Sequence, residues 1–486
     1  MSLFTKKPLD RILADSEGEH GLRRALGPGQ LVALGIGAII GAGLFSLTGI
    51  AAANNAGPAV VLSFVLAGIG CAFAGLCYSE FATMIPIAGS AYTYSYATMG
   101  ELLAWIIGWD LVLEYAVGAA TVSVSWSAYA MSLMRDLGIA FPPALASSPL
   151  EPVRLPDGTM VQGVINLPAV FIVVMISLLL IVGIKESARV NSTIVAIKMT
   201  VVIVFILFGW AYIQPSNHVP FIPDNTGTTG AFGWSGILRA AGVVFFAFIG
   251  FDAVSTAAQE ARKPQKDMPI GILGSLAVCT ILYVLFAYVL TGIANYKELG
   301  VAAPVAVAID KTPYAWLRPL IKMAILAGFT SVILVMLLGQ SRVFFSMSRD
   351  GLLPAVFSKL HPKFATPWKS NLMMMCFVCL FSAFAPISMV GEMTSIGTLF
   401  AFVLVCGGIM IMRRTHPDLP RPFRTPLVPV VPILGIGFNL LMMWGLGWSN
   451  WLRLIIWLAI GLCVYFGWSR RHSRLAAAAQ VTSGRR

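Results

Sequence analysis

Apolar residues along this chain come in runs of about 20, broken by Pro, Gly or charge. Read as bilayer crossings, they predict twelve helical spans near 30–53, 58–84, 101–134, 166–185, 190–214, 236–258, 270–294, 316–347, 369–389, 392–412, 427–448 and 451–469. The third and eighth are long enough to demand strong tilt. One run is unusual: "LGIGAIIGAGLF", residues 34–45, places glycines at 35, 37, 41 and 43 inside the first span. A helix-interior glycine costs about 1 kcal/mol relative to alanine. A second defect falls five spans later, where "VVFFAFIGFDAVST", residues 243–256, puts Gly250 and the charged Asp252 in mid-span.

Interrupted spans in corresponding positions of two halves point to an inverted repeat of the transporter kind. Spans 1–5 (residues 30–214) form one repeat and spans 6–10 (236–412) the other. Spans 11–12 (427–469) are then peripheral, with polar segments 1–29 and 470–486 at the ends. Taken alone, Gly37 and Gly41 also satisfy GxxxG, a pattern for close helix packing; the matching defect in span 6 favours interruption. Unwound backbone is tolerated in a bilayer only where protein buries it or a cavity receives it. Freed N–H groups at a half-helix N-terminus suit a carboxylate, and freed carbonyls at a half-helix C-terminus suit an ammonium. A site with both is complementary to a zwitterion such as an α-amino acid.

Composition agrees. Only 11% of residues are charged and mean hydropathy is +0.83, against about 25% charged in a soluble domain. The polar N-terminus has no signal-peptide core, so no cleaved segment is expected. The net charge of +12 suggests nucleic acid only until its placement is read. Most Lys and Arg residues fall in alternate loops, whereas the opposite side holds Arg135, Arg154, Lys297, Lys311, Arg318 and Arg453. By the positive-inside rule both termini are cytoplasmic, in a multi-pass protein of the plasma (inner) membrane. The seven cysteines all lie in apolar spans, and Cys376 and Cys379 form a CxxC with no second pair or nearby His to complete a metal site. These read as buried packing. No phosphate loop or HExxH motif is present, so the expectation is no enzyme, no cofactor and no metal.

The chain resembles the amino acid–polyamine–organocation superfamily, most closely its bacterial cationic amino acid transporter branch. The resemblance rests on "GIGAIIGAGLF" in span 1, "AGPAVVLSF" opening span 2, "GSAYTYSYATMGE" before span 3, "FIGFDAVSTAAQEARKPQKDMPIGI" across span 6 and "SRDGLLP" after span 8. It implies an all-α membrane protein with the leucine-transporter fold, twelve transmembrane helices, a 5+5 inverted repeat and broken helices 1 and 6. It also implies that the main chain at Ile39, Ile40, Gly41, Ala42 and Gly43 holds the substrate carboxylate and part of the amine. Carbonyls of Phe246, Ala247 and Ile249 supply the other amine contacts, and the Phe246 ring gates the substrate. Many relatives carry Thr or Ser where this chain has Ala42, so only a backbone contact carries over there.

Lys198 lies in mid-span 5, where an ionisable group is a functional hypothesis by default and snorkelling is the alternative. The resemblance implies that it contacts the span 1 break and span 8, its ammonium standing where sodium-coupled relatives hold sodium. Asp110 and Glu114 are four apart on span 3 and share a face. Glu114 reads equally as a functional carboxylate, accepting a proton or sitting opposite Lys198, or as a structural anchor, and Asp110 as an anchor. Asp252 reads as a cap or brace for the second half of span 6, and Glu80 as interfacial. Met336 in span 8 reads as packing on its residue type, and as a wall of the side-chain pocket on the resemblance.

The expected function is proton-coupled uptake of neutral L-amino acids such as alanine by alternating access, with Lys198 and Glu114 as coupling residues. The partners expected are amino acid, protons and membrane lipid, with no nucleic acid. Rival readings are an amino acid/polyamine exchanger, a cationic amino acid transporter and, more remotely, an amino acid sensor that moves nothing.

Overall fold

A computed structural model of the chain describes residues 5–8, 26–85, 90–154, 160–183, 188–258 and 261–475. Most of segment 1–29, the end of span 4 at 184–185, residues 259–260 of the span 6 motif and tail residues 476–486 lie outside the described residues.

The fold is mainly helical. Among the described residues, eight segments are long and apolar enough to cross a membrane, and four shorter apolar helices join them. In chain order the elements are α1a (Pro28–Ile39), α1b (43–56), α2 (Val60–Met84), α3 (Glu101–Asp136), α4 (Leu167–Val182), α5 (Ala188–Trp210), α6a (Gly233–Val244), α6b (Ala253–Thr256), α7 (Pro264–Ile293), α8 (Leu317–Arg349), α9 (Trp368–Phe384), α10 (Ile387–Thr415), α11 (Val430–Gly445) and α12 (Trp448–Val464). Three elements fall in stretches read from sequence as loops: the helices Ser90–Thr98 and Pro304–Asp310, and a hairpin of β1 (Pro152–Arg154) with β2 (Met160–Gln162). Their short lengths hide them from a search tuned to runs of 20.

Local chemistry sets the ends. Pro168 stands in the first turn of α4, the Asn166 side chain accepts the Ala169 N–H at 3.2 Å, and Gly183 ends that helix in the left-handed region. At the start of α7 the Asp267 carboxylate accepts the Lys263 N–H at 2.9 Å. At 33 residues, α8 is about 50 Å long, well beyond the ~30 Å hydrocarbon core, so it tilts or projects.

Packing is concentric. The α3 and α6 regions are the most enclosed and α12 the least. Helices five apart in the apolar order touch: α2 with α7, α3 with α8, α4 with α9, and the α1 region with the α6 region. Charged side chains pin the ends. Lys322 of α8 is buried against Asp136 at 2.6 Å and Asp310 at 3.6 Å. Arg239 of α6a meets Glu392 of α10 at 3.3 Å. Near the N-terminus, Lys7 pairs with Asp350 at 2.9 Å, and that carboxylate also accepts the Tyr92 hydroxyl.

Glu80, read as interfacial, stands near the end of α2 and is fully buried in the protein, where it takes two bonds from the Arg413 guanidinium at 2.8 and 3.0 Å and accepts the Thr425 N–H. One reading is corrected. Cys376 and Cys463 are exposed on the outside of the helix bundle rather than buried; an apolar span packs only one face, and these thiols sit on the other.

Candidate functional site

The chain leaves helical geometry twice. α1a ends at Ile39, Ile40 is extended (φ −72°, ψ 108°), and α1b opens at Gly43 with a wide turn. The second interruption follows α6a: a tight turn at Phe245–Phe248, an extended Ile249 (ψ 132°), Gly250 at φ +116°, then the single turn of α6b. A helix opening at Gly43 presents its leading main-chain N–H groups to the gap.

The two interruptions interlock. A Cβ on Gly43 would overlap the backbone of Ala247 and come within 2.6 Å of its Cβ. A Cβ on Gly250 would come within 2.8 Å of the Ala38 carbonyl oxygen, at a φ that L side chains avoid. The other glycines of the opening motif do different work. Gly35 and Gly37 lie within α1a and admit Ser275 of α7 and Val195 of α5, while Gly41 meets Val332 of α8 at ordinary contact distance. Close packing thus explains two of the four, and the near approach of a second main chain explains Gly43.

The last carbonyls of α1a are nearly all spoken for. Ile36 accepts the Ile40 N–H at 2.9 Å, Gly37 accepts the Lys198 ammonium at 2.8 Å, and Ile39 accepts the Tyr283 hydroxyl at 3.1 Å. That hydroxyl also lies 2.9 Å from the Ala247 carbonyl, so one phenol of α7 bridges both interruptions. Its ring is held between Phe64 and Phe248, each with centroids 5.4 Å away. Tyr283 was missed from sequence. The available signal was a phenol in mid-span, which needs a hydrogen-bond partner when buried. The Ala247 carbonyl, expected to meet the substrate amine, and the Ile39 carbonyl of the first expected substrate segment are therefore both engaged by Tyr283, and that of Phe246 accepts the Ile249 N–H at 3.2 Å.

Lys198 is 2% exposed, too deep for snorkelling. Its stem runs past Gly328 of α8, where a Cβ would stand 3.1 Å from Cε, so it joins α1a, α5 and α8. Glu114 lies in a wide turn of α3 at Leu113–Val117, a form frequent at functional sites. Its carboxyl neighbours Asp252 and the Thr398 hydroxyl. The two coupling candidates thus attach to different interruptions, Lys198 to the first and Glu114 to the second. Asp252 flanks α6b without a side-chain cap bond and faces Glu114 and nearby main-chain N–H groups. Asp110 makes no anchoring bond among the described residues; its carboxyl lies against Gly397 of α10. Met336 is buried one turn along α8 from the Val332 that meets Gly41, and its thioether adjoins Gly118 of α3.

Two broken helices meeting inside a multi-helix membrane bundle define a carrier of small solutes. The amino acid permease family matches residues 26–463, and the chain belongs to that family. It is 46% identical to the branched-chain amino acid permease of Bacillus subtilis (strain 168) over 98% of this chain and 99% of that one. It is 42% identical to the methylthioribose transporter of the same organism over 98% and 99%. Identity to the vacuolar cationic amino acid transporter 4 of Arabidopsis thaliana is 34%, over 86% of this chain and 68% of the relative. The protein is an amino acid transporter, not an enzyme.

Proposed function

We propose that this protein imports neutral L-amino acids across the plasma (inner) membrane, driven by protons, by alternating access of a twelve-helix 5+5 inverted repeat. The observation that carries the reading is the interlocked pair of interruptions with Lys198 on the Gly37 carbonyl. In this reading α1 to α5 and α6 to α10 are the repeats, α11 and α12 are peripheral, and both termini are cytoplasmic. The contacts of the α1 region with the α6 region, of α2 with α7, α3 with α8 and α4 with α9 support the repeat. Main-chain N–H groups at 41–43 take the substrate carboxylate, and main-chain carbonyls at 39–40, 246, 247 and 249 take the amine. Because the Tyr283 hydroxyl engages two of those carbonyls, the substrate ammonium donates to them beside that hydrogen bond or in its place. Lys198 carries the coupled proton. On releasing it, the amine no longer donates to Gly37 as an ammonium, and the α1a–α5 contact loosens.

Neutrality follows from Met336. Its unbranched apolar end offers no partner to a second positive charge, and a buried unpaired charge costs several kcal/mol. About 2.7 kcal/mol already gives a hundredfold preference. Two names among the relatives, branched-chain and cationic amino acid carriers, frame the alternatives. A cationic substrate is favoured by one observation, the buried Glu114 carboxyl one helical turn from Gly118, which adjoins Met336.

Uptake of labelled alanine and leucine into proteoliposomes, with and without an inward proton gradient, tests the reading. The gradient should stimulate wild-type uptake, and Lys198→Ala should lose that stimulation while retaining some binding. Full gradient-driven accumulation by Lys198→Ala removes Lys198 from coupling. Unlabelled arginine or methylthioribose competing as well as alanine overturns the neutral amino acid assignment.

A further inference from the structure

α8 presents Gly328, Val332, Met336 and Gln340 at four-residue intervals, hence on one face. The first meets Lys198 and the second meets Gly41 at the first interruption. The third meets Gly118 of α3. A Cβ on Gly118 would stand 3.2 Å from Met336 Sδ, 3.4 Å from its Cε and 3.4 Å from Thr394 Cγ2 of α10. Three helices therefore converge where the methionine ends. The backbone does not call for glycine here: Gly118 is helical, with φ −57° and ψ −46°, where alanine would be more favourable by about 1 kcal/mol. The absent side chain leaves the space in which the methionine tip rests.

We propose that Gly118, with Thr394, is a specificity-determining position that sets how far the Met336 tip reaches towards the interruptions, and so the length of substrate side chain accepted. The inference rests on the reading that the substrate lies at those interruptions. A methyl at 118 needs a few tenths of an ångström, and the neighbour able to give is methionine, with three rotatable bonds. α3 and α10 close two sides, so the tip moves towards the first interruption. The substrate space becomes shorter.

The test measures kcat/KM for labelled alanine and leucine on the full chain in proteoliposomes. Gly118→Ala should raise the alanine-over-leucine ratio about tenfold, the lower end of what one methylene is worth in an apolar pocket. In a Met336→Ala background the same change should leave the ratio unmoved, a coupling that a merely structural glycine would not show. Thr394→Ser keeps the hydroxyl bond to the Val390 carbonyl, 2.9 Å long, and removes only the methyl. It should shift the ratio the opposite way, and it decides the matter if Gly118→Ala does not fold. An equal loss of both substrates with an unchanged ratio, or a shift that persists without Met336, overturns the proposal alone. Wild-type vesicles that take up neither amino acid overturn the underlying reading and this inference with it.

Discussion

At Gly43 the missing side chain lets one main chain lie directly on another, whereas at Gly250 the backbone angle itself requires glycine. Both keep carbonyl and N–H groups of two distant segments in one place. Gly43→Ala should therefore wedge α1b from Ala247 and pull the carbonyls proposed to take the substrate amine out of register. Loss of one hydrogen bond to a charged group, about 1.5 kcal/mol, corresponds to roughly tenfold weaker binding. Titration of detergent-solubilised protein with alanine measures this, with the melting temperature of the ligand-free variant read alongside. Wild-type affinity in Gly43→Ala would mean that the contact with Ala247 does not organise the site.

Between elements, Glu80 gives the most consequential contact. It ties the end of α2 to α10 through Arg413 and to the α10–α11 connection through Arg421 (3.4 Å) and Thr425. Arg421 in turn donates to the carbonyls of His416, Pro417 and Leu419, closing the end of α10. Removing one partner of a buried ion pair costs about 3–5 kcal/mol, while replacing both is often nearly neutral. Arg413→Ala should accordingly lower the melting temperature by several degrees, and Glu80→Gln with Arg413→Met should lower it less. A double variant no more stable than the single one would show that the buried carboxylate, left with Arg421 and the Thr425 N–H alone, is not what destabilises.

For the molecule as a whole, sidedness is the testable quantity. The alternation of charge along the sequence places most basic residues on the expected cytoplasmic side, with Lys359 and Arg414, and Leu150, beside the β1–β2 hairpin, on the other. Leu150 is 66% exposed and Lys359 is also exposed. In intact cells a membrane-impermeant maleimide should label Leu150→Cys, and should reach Lys359→Cys only after permeabilisation. The reverse pattern would invert the orientation and place the termini outside.

The chain's own residues determined that it crosses a membrane, roughly where, and that its first and sixth spans are defective. Bilayer thickness and the need to satisfy backbone groups act on contiguous sequence, so run length and mid-span Gly or Asp report them directly. They also marked Lys198, because a charge in mid-span is conspicuous wherever it later packs. What each defect does was decided only in three dimensions. Gly35 and Gly37 serve packing and Gly43 serves close approach because Ser275, Val195 and Ala247 arrive from other helices. Glu80 is buried because Arg413 reaches it from 333 residues away. The Ile39 and Ala247 carbonyls are occupied because the Tyr283 hydroxyl falls between them. A carbonyl, a carboxylate or an absent side chain has no fixed role until its partner is placed, and partners distant in sequence meet only when the helices pack.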